Sequence, residues 1–286
     1  MLERTIELNN GVKISQLGLG TWLIDDDKVA AVVTGAIQAG YRHIDTAQAY
    51  GNERGVGAGV RNSGVARSEI FVTTKLAAEH KDYASAAAAI DESLRKLDLD
   101  YIDMMIIHSP EPWADFRDGD HYFAGNVAAW QALEDAYKAG KIRAIGLSNF
   151  EQVDLDNILT HGTVKLAVNQ VLAHVGNMPS ALIEYTRAQG IAVEAYSPVA
   201  HGAMMKSAAM VQMAAQYNVT VPQLAIRYDL QLGLITLPKS GNLDHVKSNA
   251  AVDFTISAAD MQTLAGIQFT DYGESKAFPV YSGKQD

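Results

Sequence analysis

A chain of 286 residues, 48% of them hydrophobic and 20% charged, holds ample apolar material for a sizeable buried core, which excludes disordered and collagen-like architectures. Its 33 acidic residues against 23 basic ones leave a formal charge of −10, a field that repels nucleic acid and anionic membrane surfaces. With no cysteine, disulfides, thiolate nucleophiles, zinc fingers and iron–sulfur ligation are excluded together, and catalysis falls to oxygen and nitrogen side chains.

The opening residues, Met1-Leu2-Glu3-Arg4-Thr5, are polar. Apolar runs such as Met104-Met105-Ile106-Ile107 fall far short of the roughly 20 residues of a membrane span, so a cytoplasmic location is expected. Within residues 5–14 two alternating runs flank Asn9-Asn10-Gly11, the signature of a β-hairpin. Beyond it, short β-branched and apolar runs alternate with stretches rich in Ala, Leu, Glu and Lys. Strands are expected at 17–21, 43–47, 70–76, 102–109, 144–149, 166–171, 191–198 and 234–240. Helices are expected at 26–40, 50–62, 83–98, 126–140, 151–160, 179–189, 208–217 with 222–232, and 242–249. The unbroken apolar run at 104–107 suits a parallel sheet buried on both faces.

Eight strand-plus-helix units in this length place the chain in the α/β class as a (β/α)8 TIM barrel, one domain over residues 1–286, with the N-terminal β-hairpin as a cap on its bottom. The rival, a doubly wound sheet, calls for a glycine-rich fingerprint after the first strand, and Gly18-Leu19-Gly20-Thr21-Trp22-Leu23 lacks its third glycine.

Asp25-Asp26-Asp27 reads as an N-cap and first-turn carboxylates for the first helix rather than a metal site, and Gly40 and Gly140 stand where helix-terminating glycines belong. Two segments break the rhythm. One is the loop 111–125, with Trp113, Phe116, Tyr122 and Phe123 among acidic residues; the other is the tail 269–286. The loop follows the fourth strand, on the face where barrel enzymes keep their active sites.

At that face the second strand ends in Asp45 with Tyr50 just beyond, the third in Lys75 and the fourth in His108. Each alone is an ordinary strand-end or core residue, but together they make a proton-donating device. A phenol with a pKa of about 10 is a poor acid at neutral pH, and a neighbouring ammonium is expected to lower that value. Lys75 would supply the charge, Asp45 would keep it protonated, and His108 would polarise a carbonyl placed against Tyr50. Such a carbonyl calls for a hydride.

These residues lie within motifs that run through the chain. They are Gly18-Leu19-Gly20-Thr21-Trp22, the run from Gly40 through Asp45 and Tyr50 to Glu53, Thr73-Thr74-Lys75, Ile107-His108, the run from Gly140 to Phe150, Ala195-Tyr196-Ser197-Pro198, Leu237-Pro238-Lys239-Ser240 and Asn249. In this order they resemble the aldo-keto reductase superfamily, in particular bacterial members similar to 2,5-diketo-D-gluconate reductases. The resemblance implies reduction of aldehydes and ketones by NAD(P)H, with Tyr50 as general acid and Asp45, Lys75 and His108 as its supports. It further implies that Ser148, Asn149 and Gln170 bind the carboxamide, that Tyr196 stacks on the nicotinamide, and that Ser197, Pro198 and Val199 follow the pyrophosphate. Gly20, Thr21, Trp22 and Asp45 complete the nicotinamide end, and Lys239, Ser240, Gly241, Asn242, His245 and Asn249 the adenosine end. Without the other motifs, Ser148-Asn149 would read as a helix N-cap and Tyr196 as an ordinary barrel-top aromatic.

Two positions depart from the family. His245 stands where many members carry an arginine for the 2′-phosphate of NADP, and a histidine is only partly charged at pH 7. With Lys239 and Lys247 at hand, NADP(H) is the expected cofactor, with NAD(H) or dual use open. Ser109 stands where many relatives have Trp, which predicts a smaller pocket wall. Trp22, Tyr50, His108 and Trp113 are the substrate candidates, with Ile24 and Tyr83 as weaker ones. The partner expected is a small carbonyl compound, with no nucleic acid, no membrane and a monomer or weak dimer. No metal is expected, since His80, His121, His161, His174 and His201 show no ligand spacing. Two competing readings are a cofactor-binding redox-sensing regulatory subunit with little turnover and a Schiff-base lyase using Lys75.

Overall fold

Eight short, buried runs pair as one parallel sheet in the computed structural model, which describes residues 1–269 and 271–283. They are β3 (Leu19–Gly20), β4 (His43–Asp45), β5 (Phe71–Leu76), β6 (Ile102–Ile107), β7 (Ile142–Ser148), β8 (Val168–Leu172), β9 (Ala192–Tyr196) and β10 (Ile235–Leu237), hydrogen-bonded in that order. The two edges meet through bridges joining Leu17 to Thr236 and Gly20 to Lys239, with the Gly18 amide donating to the Thr236 carbonyl at 3.0 Å. The result is the expected (β/α)8 barrel. Several strands are shorter than predicted, trimmed at either end: β3 leaves out residues 17–18 of the expected run and β4 residues 46–47.

The strands β1 (Thr5–Glu7) and β2 (Lys13–Ser15) form the hairpin, with Ile6 opposite Ile14. Gly11, at φ +83°, makes the turn in the left-handed region that glycine enters without penalty. Leu8 and Ile14 are buried against Phe71, Met104, Ala144, Val168 and Ile235 at the lower end of the barrel. Asn9 Nδ2 donates to the carbonyls of Leu166 and Gly190, and Asn10 Nδ2 to that of Arg143, so the cap satisfies backbone acceptors as well as covering apolar surface.

Around the sheet lie α1 (Asp26–Gln38), α2 (Glu53–Arg61), α3 (Tyr83–Leu97), α4 (Phe123–Lys138), α5 (Gln152–His161), α6 (Ser180–Ala188), α7 (Ala208–Gln216), α8 (Val221–Gln231), α9 (Leu243–Ala250) and α10 (Ala258–Ala265), the last unpredicted. Gly40 and Gly140 follow α1 and α4 with φ of +108° and +76°, as expected of helix-terminating glycines. Asp25 occupies the N-cap position of α1 without capping it, because its carboxylate is drawn to Lys28 at 2.5 Å. Asp26 instead reaches α2, accepting from the Gly55 amide at 2.7 Å and from Arg54. The helix expected at 50–62 is broken: a 3₁₀ turn covers Gln48–Tyr50, and α2 starts only after Gly51 at φ +69°. Helix α2 then lies flush on its neighbours, since a Cβ at Gly57 would come within 1.8 Å of the Leu97 carbonyl oxygen. No side chain fits there.

Candidate active site

The loop carrying Tyr50 is pinned on both sides. Gln48 Nε2 donates to the Ala89 carbonyl and Ser93 Oγ, each at 2.8 Å, while its Oε1 accepts from the Ala77 amide at 2.7 Å. Asn52, fully buried, donates to the carbonyls of Thr21 and Ile24 and accepts from Thr46 Oγ1. Tyr50 therefore stands on a turn whose polar groups are spent on α3 and on the β3–α1 connection. Neither Gln48 nor Asn52 was singled out from sequence, where they look like ordinary loop amides.

From β5, Lys75 reaches the same point beneath the surface. Its Nζ lies 2.5 Å from Asp45 Oδ1, 3.1 Å from the Thr46 carbonyl oxygen and 3.1 Å from the Tyr50 hydroxyl, and the side chain is 1% exposed. Three donors meet three acceptors. Burial disfavours its charge, but Asp45 and Tyr50 outweigh that and hold Lys75 above its ordinary value. A charged amine is not a Schiff-base nucleophile, which weighs against the lyase reading. The same ammonium was expected to lower the Tyr50 pKa; the net direction is instead upward, because burial outweighs Lys75 and Asp45 adds to it. Tyr50 is thus a protonated phenol at pH 7.

His108 follows β6, its ring 5.6 Å from that of Tyr50 at 72°. Burial, then the Lys75 charge, holds it well below its ordinary value, so the imidazole is neutral at pH 7. Ser109, expected to leave a smaller wall, is buried and directed to Glu111 at 3.3 Å. Trp113 takes the wall instead, edge-on to His108 at 5.0 Å.

Above these residues opens a cavity of about 500 Å³. Of the residues picked out from sequence, Gly20, Trp22, Asp45, Tyr50, His108, Trp113, Ser148, Asn149, Gln170, Tyr196, Ser197, Pro198, Val199 and Lys239 line it. Thr21 does not: it is buried, with Oγ1 donating to the Asp45 carbonyl at 2.9 Å. Ser240, Gly241, Asn242, His245 and Asn249 also lie outside the lining; Asn242 caps α9, His245 and Lys247 are exposed on that helix, and Asn249 is buried. Ile24 belongs to the core behind α1, and Tyr83 is exposed and bonded to Asp135.

Ser148-Asn149 is no N-cap, since α5 begins with a capping box formed by Glu151 and Asp154. Asn149 Nδ2 donates to the His108 carbonyl and Ser148 Oγ, and its Oδ1 accepts from the Tyr196 hydroxyl at 2.7 Å. Gln170 Nε2 donates to two buried carboxyl groups, leaving Oε1, to which no described residue donates, as the polar atom it offers the cavity. An acceptor in Gln170 and a flat ring in Tyr196 suit an aromatic ring bearing a carboxamide, and Lys239 at another part of the wall suits a phosphate. The donor set fits a nicotinamide dinucleotide.

Part of the wall was not picked out from sequence, although Ala49 and Leu237 stand inside the motifs that carry the resemblance and the tail breaks the rhythm. Leu23, Ala49, His201, Gly202, Leu237 and Phe278 to Tyr281 also line the cavity. Trp22 is boxed by Phe278 at 4.7 Å and His201 at 4.9 Å, and the Tyr281 hydroxyl meets Ser197 Oγ. Of the tail, residues 270 and 284–286 lie outside the described residues. Against the expectation drawn from histidine spacing, Glu111, His121 and Asp154 place ligand-type atoms within 4.8 Å of one another. His121 Nδ1 lies 2.8 Å from Asp154 Oδ1, and Arg117 approaches Glu111 at 3.6 Å, so charged side chains of the protein already serve this cluster.

Residues 15–268 match the Aldo/keto reductase family. The chain is 40% identical over 265 residues to the glyoxal reductase of Bacillus subtilis (strain 168), covering 92% of each. Among solved structures it resembles MGS-M4, an aldo-keto reductase enzyme from a Medee basin deep-sea metagenome library, with a TM-score of 0.86, 33% identity and coverage of 92% and 94% of the two chains. An aldo/keto reductase from Brucella melitensis gives a TM-score of 0.84 and 35% identity, covering 92% of this chain and 97% of that one. Members of the family use nicotinamide cofactors, in keeping with the donor set of the cavity. Among the described residues no helix is long and apolar enough to cross a membrane. With its barrel and nine-tenths of its length matched, this chain is an oxidoreductase that belongs to the aldo/keto reductase family.

Proposed function

We propose that the protein, acting as one barrel unit, reduces aldehydes and ketones to alcohols with NAD(P)H, and that Tyr50 delivers the proton. The observation that carries this reading is the donation from Lys75 Nζ to the Tyr50 hydroxyl. An ammonium has no lone pair to accept with, so the phenol proton of Tyr50 is turned away from Lys75 and toward the cavity it lines. A bound nicotinamide supplies the hydride that reduces the carbonyl carbon. Tyr50 and neutral His108 converge on the carbonyl oxygen, and Tyr50 donates its proton as negative charge develops there. Lys75 stabilises the phenolate left behind, and Asp45 keeps Lys75 charged. Trp22, Trp113 and Phe278 hold the apolar remainder of the substrate.

Ser148, Asn149, Gln170 and Tyr196 would hold the nicotinamide, and Lys239 the adenosine-phosphate end. Lys239 favours NADPH; with His245 in place of a permanent cation the preference is shallow. Glyoxal, named for the Bacillus relative, is the first substrate to try, beside an aromatic aldehyde. Parallel fluorescence titrations with NADPH and NADH, followed by turnover of both aldehydes, test the reading. Binding with turnover is expected. Binding with turnover at background would favour a sensor, and binding of neither cofactor would overturn the assignment.

A further inference from the structure

We propose that Asn126, buried near the start of α4, is a positioning residue that sets substrate preference by clamping both ends of the loop that presents Trp113. The inference rests on the reductase reading, in which Trp113 holds the apolar body of the substrate. Asn126 is 1% exposed, and both ends of its side-chain amide are engaged. Nδ2 donates to the Pro110 and His121 carbonyls, each at 2.9 Å, and Oδ1 accepts from Lys81 Nζ at 2.7 Å. Backbone carbonyls only accept, so the amide has a single orientation. Lys81, on the connection between β5 and α3, also donates to the Ser109 carbonyl at 3.0 Å, beside His108. Burial pulls its amine down to about 8, against the carboxylates of Glu111, Glu79 and Asp154, and at pH 7 it is charged. Gly125 permits the close approach of α4, since a Cβ there would lie 2.8 Å from the Lys81 carbonyl oxygen. One ammonium and one amide thus gather residues 109, 110 and 121 at a single point, where the loop both leaves and returns.

The clamp holds against strain. Arg117, within the loop, and Tyr122, at its end, have φ of +57° and +49°, in the left-handed region that side chains disfavour, and Tyr122 enters α4 without a side-chain cap. Arg117 ties the middle of the loop to Asn149, and Asn126 holds its ends. Trp113 itself has little else to fix it: its ring packs edge-on to His108 at 5.0 Å and tilted on Phe116 at 5.7 Å, and its amide reaches Glu79 Oε1 only at 3.4 Å. The place of that ring on the cavity wall therefore follows the place of the loop ends. Alanine is the better helix former and would bury no polar group at this position, so the benefit of asparagine here is the clamp and not the helix.

Glyoxal is small enough to be held by Tyr50 and His108 alone, whereas an aromatic aldehyde extends to Trp113. Values of kcat and KM for glyoxal and benzaldehyde, at saturating NADPH or NADH, whichever supports faster turnover, are compared for wild type, Asn126→Ala, Trp113→Ala and the double variant. Asn126→Ala is expected to lower kcat/KM for benzaldehyde about tenfold, through KM, and to leave glyoxal within about twofold. Once Trp113 is gone, it is expected to have no further effect on benzaldehyde. A residue that merely braced the fold would lower both substrates alike and would do so in both backgrounds. Equal losses for the two aldehydes, additive losses, or wild-type kinetics with both would overturn the inference and leave the reductase reading intact. A wild type that turns over neither aldehyde with either cofactor would overturn both. Should Asn126→Ala fail to fold, the cycle is run with Lys81→Met, which removes the other half of the clamp and is judged by the same outcomes.

Discussion

Arg117 Nη2 donates to the backbone carbonyl of Asn149 at 2.9 Å, and Asn149 holds a φ of +64°. That left-handed conformation costs a residue with a side chain about 1 kcal/mol, which the captured carbonyl offsets. The guanidinium is 8% exposed and also meets Glu151 at 3.0 Å and Glu111 at 3.6 Å, so the loop bearing Trp113 is tied to the one bearing Asn149. Arg117→Met, which removes the cation that meets Glu111 and Glu151 together with the donor to the Asn149 carbonyl, is expected to lower unfolding free energy by about 3 kcal/mol in urea titrations. A loss within about 0.5 kcal/mol would show the tie to be incidental.

Tyr50→Phe removes the proton donor and, with it, one of the three acceptors of Lys75 Nζ. Turnover is expected to fall about 10²–10⁴-fold, with the cofactor dissociation constant within about twofold of wild type. Steady-state rates and fluorescence titration separate the two. Equal losses in both would mean that Tyr50 binds cofactor rather than protonating substrate.

Buried titrating groups set the pH dependence of stability. His43 and His174 are pushed down by burial from 6.5 to about 3 and about 4, so the unfolded chain takes up protons that the folded one refuses, and these two groups on their own make stability rise with pH from about 4 to 6.5, against the opposite contributions of the buried carboxyls Glu194 and Asp229. Glu194 is shifted the other way, from 4.5 to about 8, so the folded chain keeps a proton the unfolded one has released. From pH 6.5 to about 7.5, where these histidines no longer contribute and Lys81, lowered by burial to about 8, is still mostly protonated, stability is expected to fall with a slope of up to about 1.4 kcal/mol per pH unit for that one proton. Urea titrations across this window should show the decline in wild type and a shallower one in Glu194→Gln. Identical slopes would locate the proton elsewhere.

His245 is exposed on the first turn of α9, close in sequence to Lys239 and the end of β10. His245→Arg supplies a permanent, forked cation and is expected to tighten NADPH about tenfold relative to NADH. Parallel titrations give the ratio. An unchanged ratio would mean that the 2′-phosphate lies away from α9.

Much of this molecule was readable from local pattern. The eight strands announced themselves as apolar runs bounded by turn residues, and Asp45, Lys75 and His108 were conspicuous as polar residues at strand ends. Other features depend on packing that no window of sequence contains. Phe278 and Tyr281 reach Trp22 across the barrel mouth, with no periodicity to signal it. His121 finds Asp154 through the approach of a loop to the first turn of α5 rather than any spacing. The helix expected at 50–62 failed at Gly51, whose positive φ is a single backbone choice. For Tyr50 the neighbouring charge was legible but the depth of burial was not, and burial decides the direction of its pKa. Glu194 stood in plain view as an acid within an apolar strand, a signal that was passed over.

The seam that closes the barrel has a kinetic consequence. Gln16 Nε2 donates to the Leu230 carbonyl, 214 residues away, beside the bridge from Leu17 to Thr236. Joining segments that far apart brings a loop-closure entropy that no local interaction offsets, so the seam is set to form late in refolding, after the βα units have condensed on one another. Because the Gly20–Lys239 bridge belongs to the same seam and both residues line the cavity, competence to bind a ligand there should lag behind the recovery of helical signal.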